Sequence, residues 1–186
     1  MSRTEQRAVL RRLLPEDRDG FVEMNRDPAV RKYFPGLLTP EESLGEMTRI
    51  EQHWDTHGFG PWALDVRGDF AGILGLHWVA PDMPFAPAVE LLYRLLPRFW
   101  GQRLATEGSL AALEFAFSEL HLDTVVAFAV EANRGSRRVL EKVGMVYGGD
   151  FDHPSIPQLS PLRRHVLYSL KRTNWRQKPS PIRILA

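Results

Sequence analysis

The stretch "PRFWGQRLATEG", Pro97 to Gly108, is the first place where this chain shows chemistry. It joins an apolar run to a helical pattern. A helix N-terminus offers four unbonded N–H groups and about half a positive charge, which suits a phosphate. Read alone the signal is weak, and a plain turn in which Gly101 gives backbone freedom is the simpler account. A second stretch, "AVEANRGSRRVLEKVGM" from Ala129 to Met145, sets Asn133 and Ser136 three residues apart where another helix begins. The third feature is one carboxylate, Glu90, inside "VELLY". An ionisable side chain on a central strand needs a reason, either acid–base chemistry or an ion pair. Arg94 is the candidate partner, because alternation along a strand puts i and i+4 on one face.

Composition removes other chemistries. The 186 residues include no cysteine, so disulfides, thiol nucleophiles and thiolate metal sites fall together. Six histidines are scattered without ligand-like spacing, so no metal is expected. No sharp strand–Ser–helix elbow supports Ser-His-Asp hydrolysis. With 24 basic and 23 acidic side chains the formal charge is +1, which argues against nucleic acid as a partner. No run approaches the roughly 18 apolar residues of a membrane span. The start "MSRTEQRAVLRRLL" lacks the apolar core of a secretory signal. A cytoplasmic protein, bound to no membrane, is expected.

The elements that must position these residues follow from periodicity and punctuation. Residues 7–13 read as a first strand. Pro15, with Glu16, Asp17 and Asp19 after it, opens a helix. Thr39 caps a second, with Glu42 at the capping-box position, running to about Thr56 before Gly58 and Gly60 break it. Trp62 to Val66 and Ala71 to Val79 form a hairpin about Gly68-Asp69. Residues 80–87 are a proline-rich loop, and Val89 to Leu95 is a strand. Leu104 to Leu120 is a long helix, apolar on two sides and so packed on both. Thr124 to Val130 is apolar without alternation, a strand covered on both faces. A short helix, Arg134 to Lys142, ends at Gly144. Met145 to Phe151 and His165 to Leu170 supply the last strands. This is a mixed α/β domain around a central sheet, residues 1–172. Residues 173–186, with prolines and no acidic side chain, read as a loosely attached C-terminal extension or an arm for a partner subunit.

Over residues 7–170 this order, with both motifs in sequence, resembles the GNAT superfamily of N-acetyltransferases. The nearer resemblance is to the Rim-type branch that acetylates N-termini of ribosomal proteins. That branch shows a Glu-containing strand, Trp-Gly, a small-residue turn with "ATE", then "N..S..VLEK.GF"; here the chain reads "VELLYRLLPRFWGQRLATEG" and "NRGSRRVLEKVGM". The resemblance implies a mostly antiparallel mixed sheet splayed like a V between strands four and five, with about four flanking helices. It implies acetyl-CoA in the split, with no metal. The pyrophosphate would lie on the backbone amides around Trp100, Gly101, Gln102, Arg103, Leu104, Ala105 and Thr106. Leu95 and Leu96 would pair with the pantetheine amides. Asn133 and Ser136 would meet the pantetheine arm or its thiol. One departure stands out: Arg103 occupies a position where the family has glycine. Its β-carbon crowds the phosphate or its guanidinium contacts it, or Arg103 simply pairs with Glu107 one turn on.

Acetyl transfer to an amine needs a neutral amine, a polarised thioester carbonyl and a proton for the leaving thiolate. By the resemblance Glu90 is the base. Leu140 stands where many members carry an acidic tyrosine, so Ser136 is the nearest substitute. His153, His165 and Trp62 are candidate acceptor contacts, and Trp54, Phe59, Trp78 and Phe85 are further wall candidates. With no cysteine to carry the acyl group, direct attack is the expected route. The acceptor is a protein N-terminus, a small amine or an antibiotic amine. Two alternatives stay open on the sequence: a non-catalytic coenzyme A-binding or regulatory protein of the same fold, and an interaction module that binds neither. A homodimer through edge strands or the C-terminal segment is also compatible.

Overall fold

A computed structural model describes residues 8–185. Eight strands form one sheet: β1 (Val9–Arg11), β2 (Pro61–Val66), β3 (Asp69–Trp78), β4 (Val89–Leu95), β5 (Thr124–Val130), β6 (Val146–Asp152), β7 (Arg164–Lys171) and β8 (Arg183–Ile184). Their spatial order is β6-β7-β5-β4-β3-β2-β1-β8. Four helices flank it: α1 (Arg18–Arg26), α2 (Pro40–His57), α3 (Leu104–Ser118) and α4 (Arg134–Lys142).

The local signals act as their chemistry dictates. Thr39 accepts from the Glu42 N–H at 3.1 Å, while the Glu42 carboxylate accepts from the Thr39 N–H at 2.7 Å. That reciprocal pair starts α2 where proline fixes the first turn. Gly58 ends α2 at φ 73°, and Gly144 follows α4 at φ 95°, both in the left-handed region.

The sheet is antiparallel through β1, β2, β3 and β4, and again through β5, β7 and β6. Its two halves meet in parallel at β4 and β5, where a single pair, Glu90 opposite Val126, is in register. Beyond Glu90 the strands diverge, so the sheet opens as the expected V. Helix α3 packs on β3 and β4 and also against α4 and β8, which explains its two apolar sides. Its approach to β3 is close: a β-carbon on Gly108 would lie 2.7 Å from Leu74 Cδ1.

Two expectations are corrected by this packing. Trp62 does not face an acceptor. It is 1% exposed in the main core, edge-on to Trp54 and Phe115. A central strand has both faces covered, so its tryptophan goes to the core. The segment after residue 172 is not loose either. Trp175 Nε1 donates to Glu114 at 3.0 Å, the Ser180 hydroxyl donates to the Glu107 carbonyl at 2.8 Å, and Ile182 is buried. Strand β8 then pairs in parallel with β1 and covers its edge. Among the described residues no helix is long and apolar enough to cross a membrane.

Candidate active site

Glu90 stands at the vertex of the V, flanked by His77 of β3 and Val126 of β5. Arg94 shares its face, as alternation requires, but does not neutralise it. The Arg94 guanidinium donates to Glu46 at 2.6 Å and to Asn25 at 2.9 Å, and Asn25 donates to the second Glu46 oxygen at 2.9 Å. That triad, linking β4 to α1 and α2, closes on itself. Among the described residues the Glu90 side chain has no hydrogen bond or ion pair. The side chain is half-buried, with its open part facing a cavity. Burial alone pushes its carboxyl up from an ordinary 4.5 to about 8.

That cavity, of about 490 Å³, is walled by His53, His57, His77, Trp78, Val79 and Met83, with Phe128 and His153 on its far side. The His53 ring is fixed between two backbone groups. Its Nδ1 donates to the Phe59 carbonyl at 2.8 Å and its Nε2 accepts from the Trp78 N–H at 3.1 Å. Both nitrogens are thus committed to the neutral ring, and burial lowers its pKa to about 4, with His77 adding to the effect. His77 stacks on it at 4.1 Å and gives its Nδ1 proton to the Trp78 carbonyl. Burial likewise lowers His77, His153 and His165. His153 lines the cavity as expected. His165 sits behind, donating Nδ1 to the Arg163 carbonyl at 3.1 Å and touching the Phe128 and Phe151 rings. The sequence pointed to neither His53 nor His77. The one available sign was the turn-spaced pair His53 and His57; His77 joins them only through the β3 register.

On the other side of the split lies the candidate anion cradle. Gly101 has φ 72° and Arg103, the N-cap of α3, has φ 65°. The left-handed conformation that glycine would supply is therefore present with arginine in its place. The Arg103 side chain is 81% exposed, with Nε 3.9 Å from Glu107. Among the described residues no acceptor takes the amides of Gly101, Arg103, Leu104, Ala105 or Thr106. Five N–H groups at a helix N-terminus fit a pyrophosphate.

Asn133 caps α4, its side chain accepting from the Ser136 N–H at 3.1 Å. Ser136 is not the cap. Its hydroxyl lies 2.9 Å from the Tyr93 hydroxyl, which also donates to the Ser136 carbonyl at 2.9 Å. This pair joins the two arms of the V. Tyr93 was not anticipated, because its partner is 43 residues away. Leu140 is buried, as an apolar replacement must be. The backbone at Leu95 and Leu96 is less open than expected. The Leu95 carbonyl accepts from Trp100 Nε1 at 2.7 Å. Leu96 donates to the Ala71 carbonyl and accepts from the Phe99 N–H. Strand β3, the Pro97–Phe99 turn and the Trp100 ring take these groups, so Leu96 offers no free edge. Among the described residues no group of three or more His, Asp or Glu side chains is arranged to hold a metal ion.

Fold and family together make the chain an acetyltransferase. The family model for the acetyltransferase (GNAT) domain matches residues 7–146, and the chain belongs to that family as an N-acetyltransferase. The FsC-acetyl coenzyme A-N(2)-transacetylase of Aspergillus fumigatus is 29% identical over 182 residues, covering 90% of this chain and 76% of the relative. An acetyltransferase of the GNAT family from Bacillus anthracis superposes with a TM-score of 0.75 at 22% identity, over 90% of this chain and 96% of its own. RimJ from Mycobacterium smegmatis, solved with a coenzyme A disulfide, gives 0.68 at 18% identity over 88% and 81%. At such identities the two structures establish the fold.

Proposed function

We propose that this chain moves an acetyl group from acetyl-CoA to a primary amine by direct attack, with Glu90 as the general base. The observation that carries the reading is Glu90 itself, unpartnered at the vertex and open to a cavity on one side. A carboxyl held near 8 accepts a proton effectively at neutral to alkaline pH. The amides after Trp100 hold the pyrophosphate, and the split beside β4 takes the pantetheine arm. When bound, the thioester supplies the electrophilic carbonyl. Glu90 takes the proton the amine sheds as its nitrogen bonds to the acetyl carbon. The carbon–sulfur bond breaks, and the Tyr93–Ser136 hydroxyl pair gives the thiolate its proton. The A. fumigatus relative, named for transfer to an N(2) position, supports an amine acceptor.

The test is Glu90→Gln, assayed for thiol release with an amine panel. Turnover should fall about 10²- to 10⁴-fold while acetyl-CoA still binds. A variant that keeps full turnover would remove Glu90 from the mechanism.

A further inference from the structure

The cavity at Glu90 is unusual in its balance of charge and ring surface. Among the described residues Glu90 is its only acidic lining residue. Trp78, Val79, Met83 and Phe128 supply apolar wall, and Phe128 is backed by Phe85 and Phe151, with ring centroids 5.7 Å away in each case. His53 has no nitrogen to spare, and His77 has only one. The neighbouring carboxylates are already taken: Glu46 by Arg94, and Asp152 by Arg163 and Arg164. Asp82, in the rim loop, is exposed to solvent, where an ion pair contributes little.

We propose that the acceptor is a small primary monoamine with an aromatic or aliphatic body, seated against Phe128 and Trp78 with its nitrogen toward Glu90, and that polyamines are excluded. This rests on the reading of Glu90 as the base and of its cavity as the acceptor site. An apolar body gains by leaving water for this wall. Among the described residues a second ammonium in the same cavity meets no carboxylate but the exposed rim residue Asp82, which acts on His153 across solvent and offsets little of the lost hydration. Such exclusion comes from what the site withholds, which separates substrates as effectively as added contacts do. The volume, about 490 Å³, accommodates a single-ring amine and lies within the range of small-molecule sites.

The experiment compares kcat/KM at pH 8 for 2-phenylethylamine, spermidine and glycinamide, with acetyl-CoA binding measured on the same preparation. 2-Phenylethylamine should exceed spermidine by at least about tenfold, the scale at which apolar pockets discriminate. Phe128→Ala should lower kcat/KM for 2-phenylethylamine about tenfold more than for glycinamide. Spermidine as the equal or better substrate would overturn the acceptor class and leave the transferase reading standing. Turnover of none of the three amines, with acetyl-CoA bound, would overturn the acceptor class and Glu90's role together. Failure to bind acetyl-CoA would overturn the proposed function itself.

Discussion

A half-buried carboxylate without a partner destabilises the fold when it is ionised, and Glu90 is such a group. Its folded pKa, about 8, lies above the ordinary 4.5. The neutral form is therefore favoured in the fold, so the associated stability is full below about 4.5 and is lost as pH rises through about 8. Thermal denaturation against pH should show this decline in the wild type, and Glu90→Gln should flatten it. Catalysis has the opposite demand. Only the ionised base removes a proton, so kcat/KM should show a rise with pH through about 8, and in Glu90→Gln only the rise set by deprotonation of the amine substrate should remain. A stability curve unchanged by Glu90→Gln would contradict the burial assigned to this side chain. At this scale the sequence was legible where function is local. Glu90, Asn133 and Ser136 could be singled out because each sits in a short motif. Tyr93, His53 and His77 could not, because what matters in each is a contact with a segment far away in the chain. The aromatic residues misled for a related reason: Trp62 and Trp78 lie on consecutive strands, yet only Trp78 faces the cavity.

Elements convert those residues into a site. The turn leading into α3 holds two left-handed residues, Gly101 and Arg103, and arginine holds the second at φ 65°. A non-glycine residue there costs about 1–2 kcal/mol. Replacement by glycine relieves that cost but raises unfolded-chain entropy by a comparable 0.4–1 kcal/mol or so. Arg103→Gly should therefore change stability by no more than about 1 kcal/mol in denaturant unfolding. Because the cradle is built of backbone amides, it should also leave the acetyl-CoA Kd within about threefold. A loss beyond tenfold would show that the guanidinium itself holds phosphate. Strand and helix positions were largely readable. The ranges of β4, β5 and α4 are those expected from apolar runs and from the Gly144 stop. The C-terminal strand was not, because Arg183–Ile184 is too short for any period and forms only where β1 offers an edge.

The whole molecule is two antiparallel half-sheets hinged at one parallel pair. The split between them creates both functional features: an arm of β4 freed from β5, and a cradle on α3 at its mouth. The order of strands and helices was enough to expect a mixed α/β sheet, and the split itself was expected through the family resemblance that the two motifs carry. The cavity at Glu90 was beyond the same reading, since it draws on α2, β3, β4, β5 and the turn after β6 at once. The most direct test of the account is titration calorimetry of the protein with acetyl-CoA. A Kd near micromolar, about −8 kcal/mol, is the predicted result, with the Glu90→Gln variant binding equally well. No heat of binding up to millimolar acetyl-CoA would contradict it.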